Sequence, residues 1–234
     1  VKSEKKLNVM SLDGGGIRGL VLVEILHELE RSIGSSFLSH FNWLAGTSTG
    51  AILALALSQA KSVQECKKLY FRFKDRVFFR SNAVQPYPEA ILEDFLKKEF
   101  GPEMKMESLN EKKKVFVVTC NGKKAPPEMH LYRSYRDPLQ PVNVALKKED
   151  DPSHTEIWFA ARCSSAAPSY FLPVNQQWMD GGLVANNPIG ELLLEVANEN
   201  DTREMNNLPP LQLGVVLSLG TGMTYDTFID TISL

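Results

Sequence analysis

The sequence predicts a single α/β domain with three layers, helix–sheet–helix, around a mostly parallel sheet. Three observations carry this prediction. Apolar runs of strand length alternate along the chain with helical periods, as parallel βαβ units require. Glycine-rich turns join strand to helix at two places. The chain has 234 residues, enough for one large core and few for two full domains. Its 43% hydrophobic and 23% charged residues are those of an ordinary globular protein, and a net charge of −2 gives no reason to expect nucleic acid.

The elements follow in order. Leu7–Leu12 (LNVMSL) reads as a buried strand running into Asp13-Gly14-Gly15-Gly16-Ile17-Arg18-Gly19. Leu20, Val23, Leu26, Leu29 and Ile33 then recur at helical spacing, with Glu24, Glu28, Glu30 and Arg31 on the other face. Phe41–Ala45 is a second short strand, and Ala51–Leu57 a wholly apolar helical stretch. Amphipathic helices are predicted over Lys61–Phe79 and Glu89–Phe100, the latter closed by Gly101-Pro102. Lys114–Cys120 and Glu128–Arg133 read as strands joined by the Gly- and Pro-containing loop Asn121–Pro127. The polar, Pro-bearing stretch Asp137–Pro152 is a surface connection, and Glu156–Cys163 a short helix. Gln177–Met179 leads into Asp180-Gly181-Gly182. Asn186 or Asn187 caps a helix with Pro188 in its first turn, running to about Asn198. Leu213–Leu219 is a last buried strand, stopped by Gly220-Thr221-Gly222.

Gly46-Thr47-Ser48-Thr49-Gly50 lies between the second strand and the apolar helix. A G-x-S-x-G run in that context is a nucleophile elbow. Gly46 and Gly50 leave room where Cβ atoms would meet the neighbouring strand and helix. Ser48 is then held at a helix N-terminus, whose dipole favours developing negative charge. The earlier loop, Gly14 to Gly19, has two readings. It fits the dinucleotide fingerprint G-x-G-x-x-G, which needs an acidic residue about 20 positions on. Gly34–Trp43 contain no Asp or Glu. In the other reading, the N–H groups of Gly14, Gly15 and Gly16 converge on an oxyanion, each donor worth about 3 kcal/mol to an acyl-transfer transition state. Arg18 adds positive charge nearby.

A serine nucleophile needs a base. In the α/β-hydrolase order the histidine follows both serine and acid, yet no histidine follows Asp180. His27, His40, His130 and His154 fall in a helical pattern, beside a strand, within a strand and in a polar loop, and read as structural. What remains is a carboxylate in direct contact with the serine. Asp180 is the best candidate, although an isolated Asp-Gly-Gly is usually a simple turn. Burial would raise its pKa and backbone donors would lower it, and the sequence leaves that balance open.

These three motifs, in this order, resemble the patatin-like lipid acyl hydrolases. The likeness runs over nearly the whole chain and includes Ser164-Ser165-Ala166-Ala167-Pro168, Asn186-Asn187-Pro188 and Ser218-Leu219-Gly220-Thr221-Gly222. Tyr70-Phe71-Arg72-Phe73-Lys74-Asp75 and Leu96-Lys97-Lys98-Glu99-Phe100-Gly101 are most similar to the group VI calcium-independent phospholipase A2 catalytic domain, beta type. The resemblance implies a three-layer α/β/α patatin-like fold over residues 1–234 and a Ser-Asp dyad, with Ser48 as nucleophile and Asp180 as base. It implies an oxyanion hole at Gly14, Gly15, Gly16 and Arg18, with Gly19, Gly46, Gly50, Gly181 and Gly182 as motif glycines. It also implies no metal, no cofactor, and hydrolysis of the sn-2 acyl ester of glycerophospholipids. Lysophospholipase, neutral-lipid lipase, thioesterase and acyl transferase share the same dyad. An inactive lipid-binding scaffold and a nucleotide-binding protein are the alternatives from other classes. Beta-type members carry ankyrin repeats ahead of this domain. None is present in these residues, which fits a domain excised from a longer chain and leaves regulatory domains and homo-oligomerisation open.

Cys66, Cys120 and Cys163 are odd in number and far apart, so a reducing, cytoplasmic setting is expected. No apolar run approaches the roughly 20 residues of a membrane span, and no signal peptide is visible. The expected partner is phospholipid at a membrane surface. The basic and aromatic stretch Lys61–Arg80 and the loop Ser81–Pro88 are the expected lipid contact, through Arg76 and Arg80. Most of that helix's aromatics are expected in the core instead.

Overall fold

In the computed structural model, which describes residues 6–77, 87–109, 113–141, 144–168 and 170–222, the apolar runs become strands of one sheet. β1 (Leu7–Leu12), β2 (Trp43–Thr47) and β3 (Lys114–Asn121) pair in parallel. β4 (Glu128–Arg133) returns antiparallel along β3, and the short β5 (Trp178–Asp180) pairs antiparallel with the end of β3. β6 (Leu213–Leu219) lies parallel to β1, so the order is β4-β3-β2-β1-β6.

Alternation along the strands sends side chains to two faces. Met10, Leu12, Leu44, Val115 and Val117 meet the larger apolar cluster, packed beneath α1 (Gly19–Ile33), α2 (Thr49–Ser58), α3 (Val63–Val77), α4 (Glu89–Phe100) and α5 (Ile157–Ser164). Leu7, Val9, Trp43, Phe116 and Val118 meet the smaller cluster. After the single turn α6 (Gly182–Ala185), α7 (Ile189–Met205) closes that face with Leu192 and Val196. Every residue of α2 is buried, which is why its sequence carries no polar face. Glu195 of α7 is 2% exposed and accepts both guanidinium branches of Arg133 (2.7 and 2.8 Å) and the Tyr135 hydroxyl (2.7 Å), locking the helix to the β4 side.

Several details depart from the sequence reading. The predicted buried last strand, β6, is the edge of the sheet among the described residues, with Leu213, Val215 and Val216 exposed; an apolar run alone does not say whether both faces are covered. α7 begins at Ile189 with Pro188 as its cap residue, and runs past Asn198 to Met205. Asn187 Oδ1 still accepts the Ile189 N–H at 3.0 Å, one position before the cap. The polar end of α7 is held by tertiary bonds that leave no period. Asn200 exchanges two hydrogen bonds with the Leu211 backbone, and Thr202 Oγ1 donates to the Pro138 carbonyl. α6 had no apolar period to reveal it.

On α3, Leu69, Tyr70 and Phe73 are buried, as expected for its aromatics, while Phe71 and Arg76 are exposed. Three of its basic groups are paired, Lys67 with Glu24 (2.6 Å), Arg72 with both oxygens of Glu99, and Lys74 with Asp75 (3.6 Å). Phe78, Phe79, Arg80 and 81–86 of the expected lipid contact lie outside the described residues. Among the described residues no helix is long and apolar enough to cross a membrane. Cys66, Cys120 and Cys163 are buried free thiols.

Candidate active site

Sheet register brings Ser48 and Asp180 together. β2 pairs with β3 as far as Thr47 opposite Val118. The next β3 residue, Thr119, is opposite Asp180. β4 occupies the other edge of β3 there, with His130 opposite Thr119. β5 therefore continues the edge that β2 leaves, and Asp180 lies one row beyond Thr47. The chain turns at Ser48 with φ 54° and ψ −121°, a strained conformation for a residue with a side chain and the expected one for an elbow. The flanking glycines are sterically required. A Cβ on Gly46 would sit 2.4 Å from the Gly50 carbonyl oxygen, and one on Gly50 would sit 2.2 Å from that of Leu12.

Ser48 Oγ donates to Asp180 Oδ2 at 2.7 Å. Asp180 Oδ1 accepts the Gly182 N–H at 2.7 Å. Asp180 is 6% exposed, and burial pushes its pKa up to about 6 against the pull of these two donors. Desolvation thus wins the balance that the sequence left open, and it makes the carboxylate a better base. Among the described residues, no histidine is hydrogen-bonded to Ser48 or Asp180. His27, His40 and His154 are exposed, and the His130 ring packs against Tyr132 and Trp178.

Ser164 and Ala166 hold both halves of the pair, a role the sequence did not reveal. Ser164 Oγ accepts the Ser48 N–H (3.0 Å) and donates to the Val118 carbonyl (2.6 Å). The Ser164 carbonyl accepts the Gly181 N–H (3.2 Å), and the Ala166 carbonyl accepts the Asp180 N–H (3.0 Å). The run Ser164–Pro168 was visible as a motif, but nothing local in it points to residues so far away in the chain.

A cavity of about 470 Å³ opens beside Ser48, walled by Ile17, Phe73, Tyr170 and Phe171 and floored by Gly15 and Gly16. Tyr170 also stacks on Tyr87. The Gly14 N–H already donates to the Asn186 carbonyl at 3.1 Å, which corrects the expectation that Gly14 is an oxyanion donor. Among the described residues, no acceptor takes the N–H of Gly15 or Gly16. Arg18 lines the same cavity, and its Nε turns back toward the Gly15 carbonyl at 3.5 Å. One apolar-walled space is thus lined by a hydroxyl, itself bonded to a buried carboxylate, and by the Gly15–Gly16 backbone, the parts that acyl transfer requires.

A protein-family model described as Patatin-like phospholipase matches residues 10–193. The chain is 40% identical over 232 residues to the 85/88 kDa calcium-independent phospholipase A2 of Rattus norvegicus, covering 95% of this chain and 28% of that protein. It is 34% identical over 231 residues to an intracellular phospholipase A2 of Caenorhabditis elegans, covering 98% of this chain and 21% of that protein. The chain thus spans less than a third of the length of these relatives. Among solved structures, VipD from Legionella pneumophila matches with a TM-score of 0.51 and 15% identity, covering 78% of this chain and 46% of that one, a likeness of fold.

Proposed function

Because the chain belongs to the patatin-like phospholipases, we propose that it is a calcium-independent hydrolase of the sn-2 acyl ester of glycerophospholipids, working through a Ser48–Asp180 dyad. The observation that carries this reading is the 2.7 Å hydrogen bond from Ser48 Oγ to a buried carboxylate, beside a cavity of acyl-chain character. Asp180 takes the hydroxyl proton as Ser48 attacks the ester carbonyl. The Gly15 and Gly16 N–H groups stabilise the oxyanion. The tetrahedral intermediate collapses to an acyl-Ser48 ester, and the leaving lysophospholipid takes the proton back from Asp180. Water then repeats the sequence, with Asp180 as base again. Calcium independence comes to this chain from the name of its 85/88 kDa relatives. A fluorophosphonate probe tests the reading. It is expected to label the native chain in the presence of EDTA and to leave Ser48→Ala unlabelled; no labelling of folded native protein would end it.

The pH dependence follows from the raised Asp180 pKa. The base must be ionised, so kcat/KM is expected to rise as pH climbs through about 6 and to level off above it. Burial lifts Asp13, at the entrance to the glycine loop, to about 6 as well. Asp13→Asn separates the two: the acid limb persists if it belongs to Asp180, and its disappearance would reassign it.

Lipid contact is part of the same proposal. Ile17 and Tyr170 at the cavity are exposed, as are Phe71 and Arg76 on α3. Arg76→Gln is expected to weaken co-sedimentation with anionic vesicles several-fold, by about 1 kcal/mol for the one charge lost near the surface. Unchanged sedimentation would remove Arg76 from the contact.

A further inference from the structure

The Ser218–Gly222 segment and Asn186 have no part in the proton transfers, yet both close on the glycine loop. Thr221 Oγ1 donates to the Gly14 carbonyl at 2.9 Å, and Asn186 Nδ2 donates to the same oxygen at 3.4 Å. The Gly14 N–H returns a bond to the Asn186 carbonyl at 3.1 Å. Gly14 is thus gripped at both its backbone polar groups. Thr221 is 5% exposed and packed so close that a Cβ on Gly15 would lie 2.2 Å from its Oγ1.

The Gly14–Gly15 peptide is trans, so its carbonyl and its N–H point in opposite directions. Whatever holds the Gly14 oxygen therefore aims the Gly15 N–H the other way. The loop lies against the nucleophile, since a Cβ on Gly14 would come within 3.2 Å of Ser48 Cβ, and Gly15 lines the Ser48 cavity. We propose that Thr221 and Asn186 are positioning residues for the oxyanion hole: by gripping the Gly14 carbonyl they aim the Gly15 N–H at the oxyanion formed on Ser48. The proposal rests on the hydrolase reading above. It deepens that reading by giving the Ser218–Gly222 and Asn186–Pro188 motifs a task in the transition state.

Loss of the grip leaves Gly15 in place with its N–H free to swing. The energy lost is then transition-state energy, because a ground-state ester carbonyl depends far less on that donor. Thr221→Val keeps the shape and removes the hydroxyl. It is expected to lower kcat about 10- to 100-fold with KM within about twofold. Affinity for an alkyl trifluoromethyl ketone, which forms the oxyanion adduct on Ser48, should fall by the same factor. Thr221→Ser, which retains the hydroxyl, should recover most of both. Asn186→Ala should lower the same two quantities, and its effect should not add fully to that of Thr221→Val, since both hold one oxygen. Native values of kcat and ketone affinity in Thr221→Val would overturn the proposal. So would a loss that Thr221→Ser fails to recover and that follows a lowered melting temperature. A native chain that neither turns over nor binds the ketone would defeat the hydrolase reading and this proposal with it, an outcome distinct from failure of the variants alone.

Discussion

Asp180→Asn is expected to lower turnover about 10³- to 10⁴-fold while the protein stays folded. The carboxamide has the size of the carboxylate and can still accept the Gly182 N–H now bonded to Oδ1. It cannot take a proton from Ser48. Stability should move in the opposite direction to activity. The folded-state pKa of Asp180 is raised from 3.8 to about 6, so the native state holds this proton more tightly than the unfolded chain does. Between those values stability falls as pH rises, and above about 6 the full cost of keeping the buried carboxylate charged remains, roughly 3 kcal/mol. The asparagine variant escapes that cost. It should be more stable than native at pH 8 and no more stable at pH 3.5. Denaturant titrations at the two pH values measure the difference. A destabilised variant at pH 8, or turnover within tenfold of native, would contradict this assignment of the base.

Glu195→Ala carries the largest expected loss of stability. Glu195 is buried under α7 and satisfies the Arg133 guanidinium on two branches as well as the Tyr135 hydroxyl. Its removal leaves a largely buried cation and a buried hydroxyl without their acceptor. Breaking such a pair costs about 3–5 kcal/mol. Asp137 lies 3.5 Å from Arg133 and can take part of the charge, so the lower end is expected. For a chain of this size that is a fall in melting temperature on the order of 10 °C. The network's bonds reach Arg133 and Tyr135 and neither Ser48 nor Asp180, so kcat should change little in the protein that remains folded. A loss below about 1 kcal/mol would show that the network contributes little to stability.

Much of the fold and the meeting of Ser48 with Asp180 were legible in the sequence, for reasons that particular residues make plain. Strands such as Leu7–Leu12 and helices such as Glu89–Phe100 announce themselves by period and by their terminal glycine or proline, and they stand where expected. The turn at Ser48 was legible because an elbow needs small residues at 46 and 50, where a Cβ would meet backbone atoms. Asp180 was reached by excluding histidine, an argument of chain order that needs no coordinates.

What stayed hidden depends on contacts between distant residues. Ser164 joins the Ser48 backbone across 116 positions, and Thr221 meets Gly14 across 207. No local spacing encodes either bond. The exposed β6 and the polar end of α7 were misread because apolar runs report composition, whereas burial and helix length were decided by neighbours in the sheet and by Asn200 and Thr202. The same reason explains Gly14. Three consecutive glycines look like three equal donors, but Asn186 takes one of them.

The central claim is that Ser48 carries the acyl group of a phospholipid. Vesicles of a phosphatidylcholine with different fatty acids at sn-1 and sn-2, incubated in EDTA with native and Ser48→Ala protein, test it most directly when the released acids are identified by mass. The native chain is predicted to release the sn-2 acid, and Ser48→Ala to release neither. Equal release by the two proteins, or none by folded native protein, would contradict the account.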